Sequence, residues 1–196
     1  MIKSKKKYYV VWNGRRNGIF GTWADCLHSI NGFPGARYKS FKCRERAEAE
    51  FSGRLLLPPE SADELSIAVD GACSGSVGEF RGVMLPCKIE IFREGPFEGA
   101  TNNLMEYVAV IEGLRWMERR GIRHPVYSDS RVAISWVTDG GHKMVTPDGG
   151  ASEISKRVNG ATAWLGSCVD KVGLVACIRK WDTSRYGEIP ADFNRK

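Results

Sequence analysis

The chain has 196 residues, with 29 Lys+Arg against 23 Asp+Glu, a hydrophobic fraction of 42% and 6 Cys. That length accommodates an ordinary domain plus a small module and a sizeable core, and the composition excludes a disordered tail, a collagen-like rod and a disulfide-dense mini-protein. No apolar run reaches the roughly 18–20 residues of a membrane span, and the basic start is not followed by the apolar stretch of a signal peptide, so no membrane partner is expected.

Residues 8–13 and 18–22 are β-prone runs joined by Gly14-Arg15-Arg16-Asn17, which predicts a hairpin. Thr22 predicts an N-cap for a helix over 23–30, and the turn Asn31-Gly32-Phe33-Pro34-Gly35 ends it. A strand over 37–41 and a helix over 43–51 complete a small α+β unit of order ββαβα. Pro58-Pro59 is not tolerated inside a helix, which places a linker over 53–62 between a head, 1–52, and a body, 63–196. Charge divides there too. Residues 1–54 hold 12 Lys+Arg and 4 Asp+Glu, net +8, whereas 55–196 hold 17 and 19, net −2. Such a head suits a polyanionic partner, although a basic solvated face has the same composition.

In the body, Leu65, Ile67 and Val69 alternate with Ser66, Ala68 and Asp70, predicting a strand over 64–70 that ends in a loop, 71–75. Strands over 78–85 and 88–93, a long helix over 102–120, a strand over 125–129 and a helix over 130–138 follow. A Gly-rich loop over 139–150, a helix over 152–168 and a fifth strand over 172–180 complete the pattern. Three strands followed by alternating helix and strand predict an α/β body, a mixed sheet with helices packed on it.

The cysteines form no C-x-x-C pair, and His28, His124 and His142 are scattered. Zinc is therefore not expected, and free thiols in a reducing, cytoplasmic setting are. Asp70 and Asp129 each close a predicted strand, where open α/β sheets gather ligands; capping or turn formation is the plainer alternative. Glu106 shares a helical face with Ala109, Val110, Gly113, Leu114 and Met117. A carboxylate on such a face is paired, metal-bound or protonated, unless it reaches solvent at the rim. With Asp192 in the tail, these acids suit oxygen ligation of a hard divalent cation and hence phosphoryl transfer.

Val69-Asp70-Gly71, Thr101-Asn102-Asn103 with Glu106, Tyr127-Ser128-Asp129-Ser130 and Ala191-Asp192 together resemble the ribonuclease H1 signature. In the head, Tyr8-Tyr9-Val10-Val11, Gly14-Arg15, Gly18-Ile19-Phe20, Thr22-Trp23 and residues 33–41 resemble the hybrid-binding domain fused to many such enzymes. The resemblance implies an RNase H-like body, a five-stranded mixed sheet with helices on both faces, behind a hybrid-binding head. It implies an endoribonuclease that cuts the RNA strand of an RNA/DNA hybrid, leaving 5′-phosphate and 3′-hydroxyl ends. Asp70, Glu106, Asp129 and Asp192 would hold two Mg²⁺, with Mn²⁺ as a substitute. Cys73, Ser74, Gly75, Asn102 and Asn103 would meet the RNA strand, and Thr101, Thr183 and Trp136 the DNA strand. In the head, Tyr9, Trp23 and Tyr38 would pack on deoxyribose, and Arg37 and Lys39 would meet phosphates.

There are departures. Some relatives carry a histidine in the loop before the last acid, where this chain has Glu188, and so resembles a bacterial branch with glutamate there. Glu188 is accordingly expected in metal exchange or product departure. A basic protrusion after the second body helix is missing, and Ser40 replaces a second lysine found in some relatives. A monomer without a protein partner is expected. The alternatives are a non-catalytic hybrid-binding protein and another metal nuclease of the same superfamily.

Overall fold

The computed structural model describes residues 7–54, 56–58, 65–139 and 152–193. Half of the expected linker and nearly all of the 139–150 loop lie outside the described residues. The chain divides into two compact units: one runs to Leu57 and includes Asp182–Gly187, the other takes Pro58 to Trp181 and resumes at Glu188.

The first unit contains β1 (Tyr8–Asn13), β2 (Gly18–Phe20), α1 (Trp23–Ile30), β3 (Arg37–Phe41) and α2 (Arg44–Ser52). The strands form an antiparallel sheet in the order β2-β1-β3. Alternation along β1 sends Val10 to one face, with Phe41 and with Ala47 of α2, and Val11 to the other, with Cys26 and Ile30 of α1. The sheet is thus covered by one helix on each face. The Thr22 hydroxyl accepts from the Asp25 N–H, as expected of an N-cap. Gly14 is needed for contact rather than for its dihedrals, since a Cβ there would lie 2.8 Å from the Ser29 carbonyl oxygen.

The second unit is built on β4 (Ser66–Ser74), β5 (Val77–Leu85), β6 (Ile89–Glu98), α3 (Asn102–Glu118), β7 (Val126–Ser128), α4 (Arg131–Thr138), α5 (Glu153–Ser167), α6 (Lys171–Val175) and β8 (Ile178–Lys180). Its mixed sheet has the order β6-β5-β4-β7-β8. β4–β5 and β5–β6 are antiparallel, and β4–β7 and β7–β8 are parallel. A short helix, α7 (Thr183–Tyr186), follows in the chain.

Two expectations are corrected. β4 does not stop at Asp70, because antiparallel pairing with β5 continues unbroken from Ser66↔Leu85 to Ser74↔Val77. The parallel pairing with β7 ends earlier, at Ala68↔Tyr127, so Asp70 is mid-strand yet just beyond the parallel part of the sheet. The fifth strand is also shorter than 172–180. The Asp170 carboxylate accepts from the Gly173 N–H at 3.1 Å and starts a helical turn, overriding the β preference of Val172 and Val175.

α3 is buried on almost every side, from Met105 to Met117. It packs on β4, β5 and β7 and is flanked by α4 and α5. Its one buried charge, Glu112, meets Arg157 of α5 at 3.0 Å, and Arg157 also binds Glu94 of β6 through bonds of 2.7 and 3.0 Å. Removing one partner from such a buried network typically costs about 3–5 kcal/mol. The six cysteines are free thiols, and no described helix is long and apolar enough to cross a membrane.

Candidate active site and nucleic-acid surface

Three acids meet where the parallel strands end. Asp70 extends from β4, Asp129 follows β7, and Glu106 lies in the first turns of α3. Carboxylate oxygens of the three lie within 4.8 Å of one another. Gly71 makes this approach possible: a Cβ there would sit 2.2 Å from the Met105 carbonyl carbon and 2.3 Å from the Glu106 nitrogen. Helix and strand can touch backbone to backbone only where the side chain is absent.

The local frame is fixed by caps. Thr101 caps α3 through the Leu104 N–H at 3.4 Å, and Ser130 caps α4 through the Ala133 N–H at 3.1 Å. The Ser130 hydroxyl also lies near enough to the Glu106 carboxylate to favour its charged form. Asn102 Oδ1 accepts from the Cys73 N–H at 2.7 Å, tying the start of α3 to the far end of β4. The acids line a cavity of about 190 Å³ together with Cys73, Asn102, Glu188 and Asp192.

This crowding changes the acids. Burial first, then the charges of Asp129 and Asp192, push the Asp70 carboxyl up to about 8. Burial also raises Glu106, with the Ser130 hydroxyl acting against it. Asp129 is raised by burial and held back by the Lys180 ammonium. A set of carboxylates that resist ionising together, with oxygen donors converging on one cavity, fits a hard divalent cation: the ion supplies the charge that the protein leaves out.

The structure therefore gathers Asp70, Glu106, Asp129, Asp192, Glu188, Asn102 and Cys73 at one cavity. Ser74 and Gly75 lie at the β4–β5 turn, and Thr101 and Asn103 are exposed at the start of α3. Trp136 is half-buried on α4, edge-on to Tyr107 with ring centroids 5.9 Å apart. Thr183 opens α7 and falls in the first compact unit. Sequence reasoning missed Ser130 as a partner of Glu106, Lys180 as the nearby cation and Gly71 as the point of contact. A helix-capping serine right after Asp129 was a legible signal; the other two needed the register.

In the first unit, Tyr9, Trp23 and Tyr38 form a continuous aromatic face. Ring centroids are 5.4 Å apart for Tyr9–Trp23 and 5.9 Å for Trp23–Tyr38. Trp23 is 43% and Tyr38 47% exposed, too open for core residues. Arg37 and Lys39 are not beside them. Strand alternation turns both to the other face, Arg37 over the Trp12 ring at 5.2 Å and Lys39 towards Phe41 at 5.8 Å.

Residues 7–50 match the family described as ribonuclease H1 N-terminal domain. Ribonuclease H of Crithidia fasciculata is 40% identical over 72 residues, 37% of this chain and 14% of that protein. Ribonuclease H of Trichodesmium erythraeum is 37% identical over 83 residues, 41% of this chain and 52% of that protein. The chain thus spans about half or less of the length of these relatives. Among solved structures, RNase H1 from the halophilic archaeon Halobacterium salinarum NRC-1 is similar at a TM-score of 0.36 and 19% identity, over 60% of this chain and 80% of that one. LC11-RNase H1 in complex with RNA/DNA hybrid is similar at a TM-score of 0.38 and 16% identity, over 60% and 83%.

Proposed function

We propose that this chain is a metal-dependent ribonuclease H that hydrolyses the RNA strand of RNA/DNA hybrids, releasing 5′-phosphate and 3′-hydroxyl ends. The observation that carries the reading is the convergence of Asp70, Glu106 and Asp129 within 4.8 Å, in a cavity shared with Asp192 and Glu188. Asp70, Glu106, Asp129 and Asp192 are the residues that would hold two Mg²⁺, or Mn²⁺ in their place. When bound, such ions acidify water and neutralise charge at a phosphodiester.

The chain's own residues supply the rest. Ser130 and Lys180 orient and partly offset the Glu106 and Asp129 carboxylates. Cys73, Ser74, Gly75, Asn102 and Asn103 surround the approach on the RNA side, and Thr101, Trp136 and Thr183 serve the DNA strand. Glu188, exposed at the cavity, assists metal exchange or product departure. In the head, Tyr9, Trp23 and Tyr38 offer sugar rings an apolar platform, while Arg37 and Lys39, on the other face of the edge strand β3, add positive charge that attracts phosphate at longer range. The domains are a hybrid-binding head over 1–52, a linker over 53–62 and a catalytic body over 63–196, working as a monomer in the cytoplasm.

The exposed aromatic face of the head also supports a second reading, a hybrid-binding protein that does not cut. One panel separates the two. Labelled RNA/DNA hybrid, double-stranded RNA and duplex DNA are each incubated with and without Mg²⁺. Cleavage confined to the RNA of the hybrid, and only with Mg²⁺, is expected. Hybrid binding without cleavage supports the second reading, and cleavage of duplex DNA contradicts both.

A further inference from the structure

Three of the four acids ride on a strand, a helix or a strand end, but Asp192 has no such support. It lies in a segment without helix or strand, after Ile189 and Ala191, which are buried, with its own N–H donated to the Ile189 carbonyl at 2.8 Å. Its backbone is held from β5. Arg81 Nε donates to the Ala191 carbonyl at 2.7 Å, and Arg81 Nη2 to the Asp192 carbonyl at 2.6 Å.

Those two carbonyls belong to the peptide planes on either side of the Asp192 Cα. Holding both planes fixes φ and ψ at that residue, and with them the direction of its Cα–Cβ bond. A lysine would reach both carbonyls from a single point, whereas the planar guanidinium fork meets them with two nitrogens at a fixed spacing. The same guanidinium lies 4.7 Å from the Phe193 ring, and Arg93 approaches that ring at 5.2 Å, so the residue after Asp192 is held as well. Arg81 is also the direct cross-strand partner of Asp70. The fork therefore references Asp192 to the strand that carries the acid it must face.

We infer that Arg81 is a positioning residue that aims the Asp192 carboxylate into the metal-binding cavity. The inference rests on the proposed metal role of the acids, and its test distinguishes the two. Mn²⁺ binding to the full chain is measured by calorimetry, without nucleic acid, for wild type, Arg81→Met, Asp192→Asn and the double variant. Thermal unfolding is recorded for each. Arg81→Met is expected to weaken Mn²⁺ binding about tenfold, in the range typical of groups that orient a ligand. The double variant is expected to bind no more weakly than Asp192→Asn alone, because the two changes remove one interaction. Arg81→Lys, which keeps the charge and the stem against Phe193, is expected to fall between wild type and Arg81→Met, and it carries the cycle if Arg81→Met does not fold.

A lowered Tm with unchanged Mn²⁺ affinity would reduce Arg81 to a structural role and overturn the inference. Losses that add in the double variant would also overturn it. Asp192→Asn binding Mn²⁺ as wild type does would instead remove the metal reading of Asp192, and the inference with it.

Discussion

The two units hold charge in opposite ways. The first carries a net +8 over residues 1–54 and places its chemistry outside, on aromatic rings that the sheet and α1 display to solvent. The second carries a net −2 over residues 55–196 and concentrates acids in a small cavity, where burial opposes their ionisation. On the proposed reading, attraction to a polyanion needs nothing added in the head, whereas the body must first take up a cation. Within the body the contrast repeats. Glu112 is buried against Arg157 and stabilises the fold, but Asp70 is buried beside other acids and does not.

The sharpest way to break this division is Asp70→Asn. It is expected to lower hybrid cleavage by roughly three orders of magnitude or more, about 4 kcal/mol of barrier, while gel-shift affinity for the hybrid stays within about twofold. Loss of binding in parallel would mean that the body, not the head, holds the substrate. Gly71→Ala comes next. The added methyl must push α3 away from β4, so a stability loss of about 1–3 kcal/mol and a fall in kcat are expected, read by urea unfolding and by steady-state cleavage. Trp23→Ala tests the head. Stacking is worth about 1–3 kcal/mol per ring, so hybrid affinity is expected to fall roughly 5- to 150-fold while the single-turnover rate at saturating hybrid is unchanged.

A further test concerns pH in metal-free protein. The Asp70 carboxyl titrates near 8 in the folded chain against 3.8 ordinarily. The folded state therefore holds a proton that the unfolded state has released, and stability falls as pH rises through that window. Asp70→Asn has no such proton to lose. Its Tm in EDTA is expected to match wild type near pH 4 and to exceed it at pH 8. Equal slopes with pH for the two proteins would show that Asp70 ionises without strain.

Much of this was legible in the sequence because the signals were local. Thr22 acts as the cap it predicted, and the alternation around Ile67 and Val69 did mark a strand. The acids were legible as a set because their residue types are costly at those positions. What escaped depends on partners far along the chain. The extension of β4 past Asp70 is set by β5, whose pairing no property of residues 71–74 announces. The turn at Asp170 outweighed a β-prone run through one side-chain bond. Arg37 and Lys39 sit next to Tyr38 in sequence, yet the period-two alternation of β3 puts them on the opposite face.

The central claim, that a head which binds serves a body which must be loaded with metal, is tested most directly on one sample. Full-length chain and labelled RNA/DNA hybrid are mixed in EDTA, binding is read by fluorescence anisotropy, and Mg²⁺ is then added while cleavage is followed. A stable, uncut complex is expected in EDTA, and cleavage of the RNA strand alone once Mg²⁺ is present. Cleavage in EDTA, or an intact hybrid at saturating Mg²⁺, would contradict it.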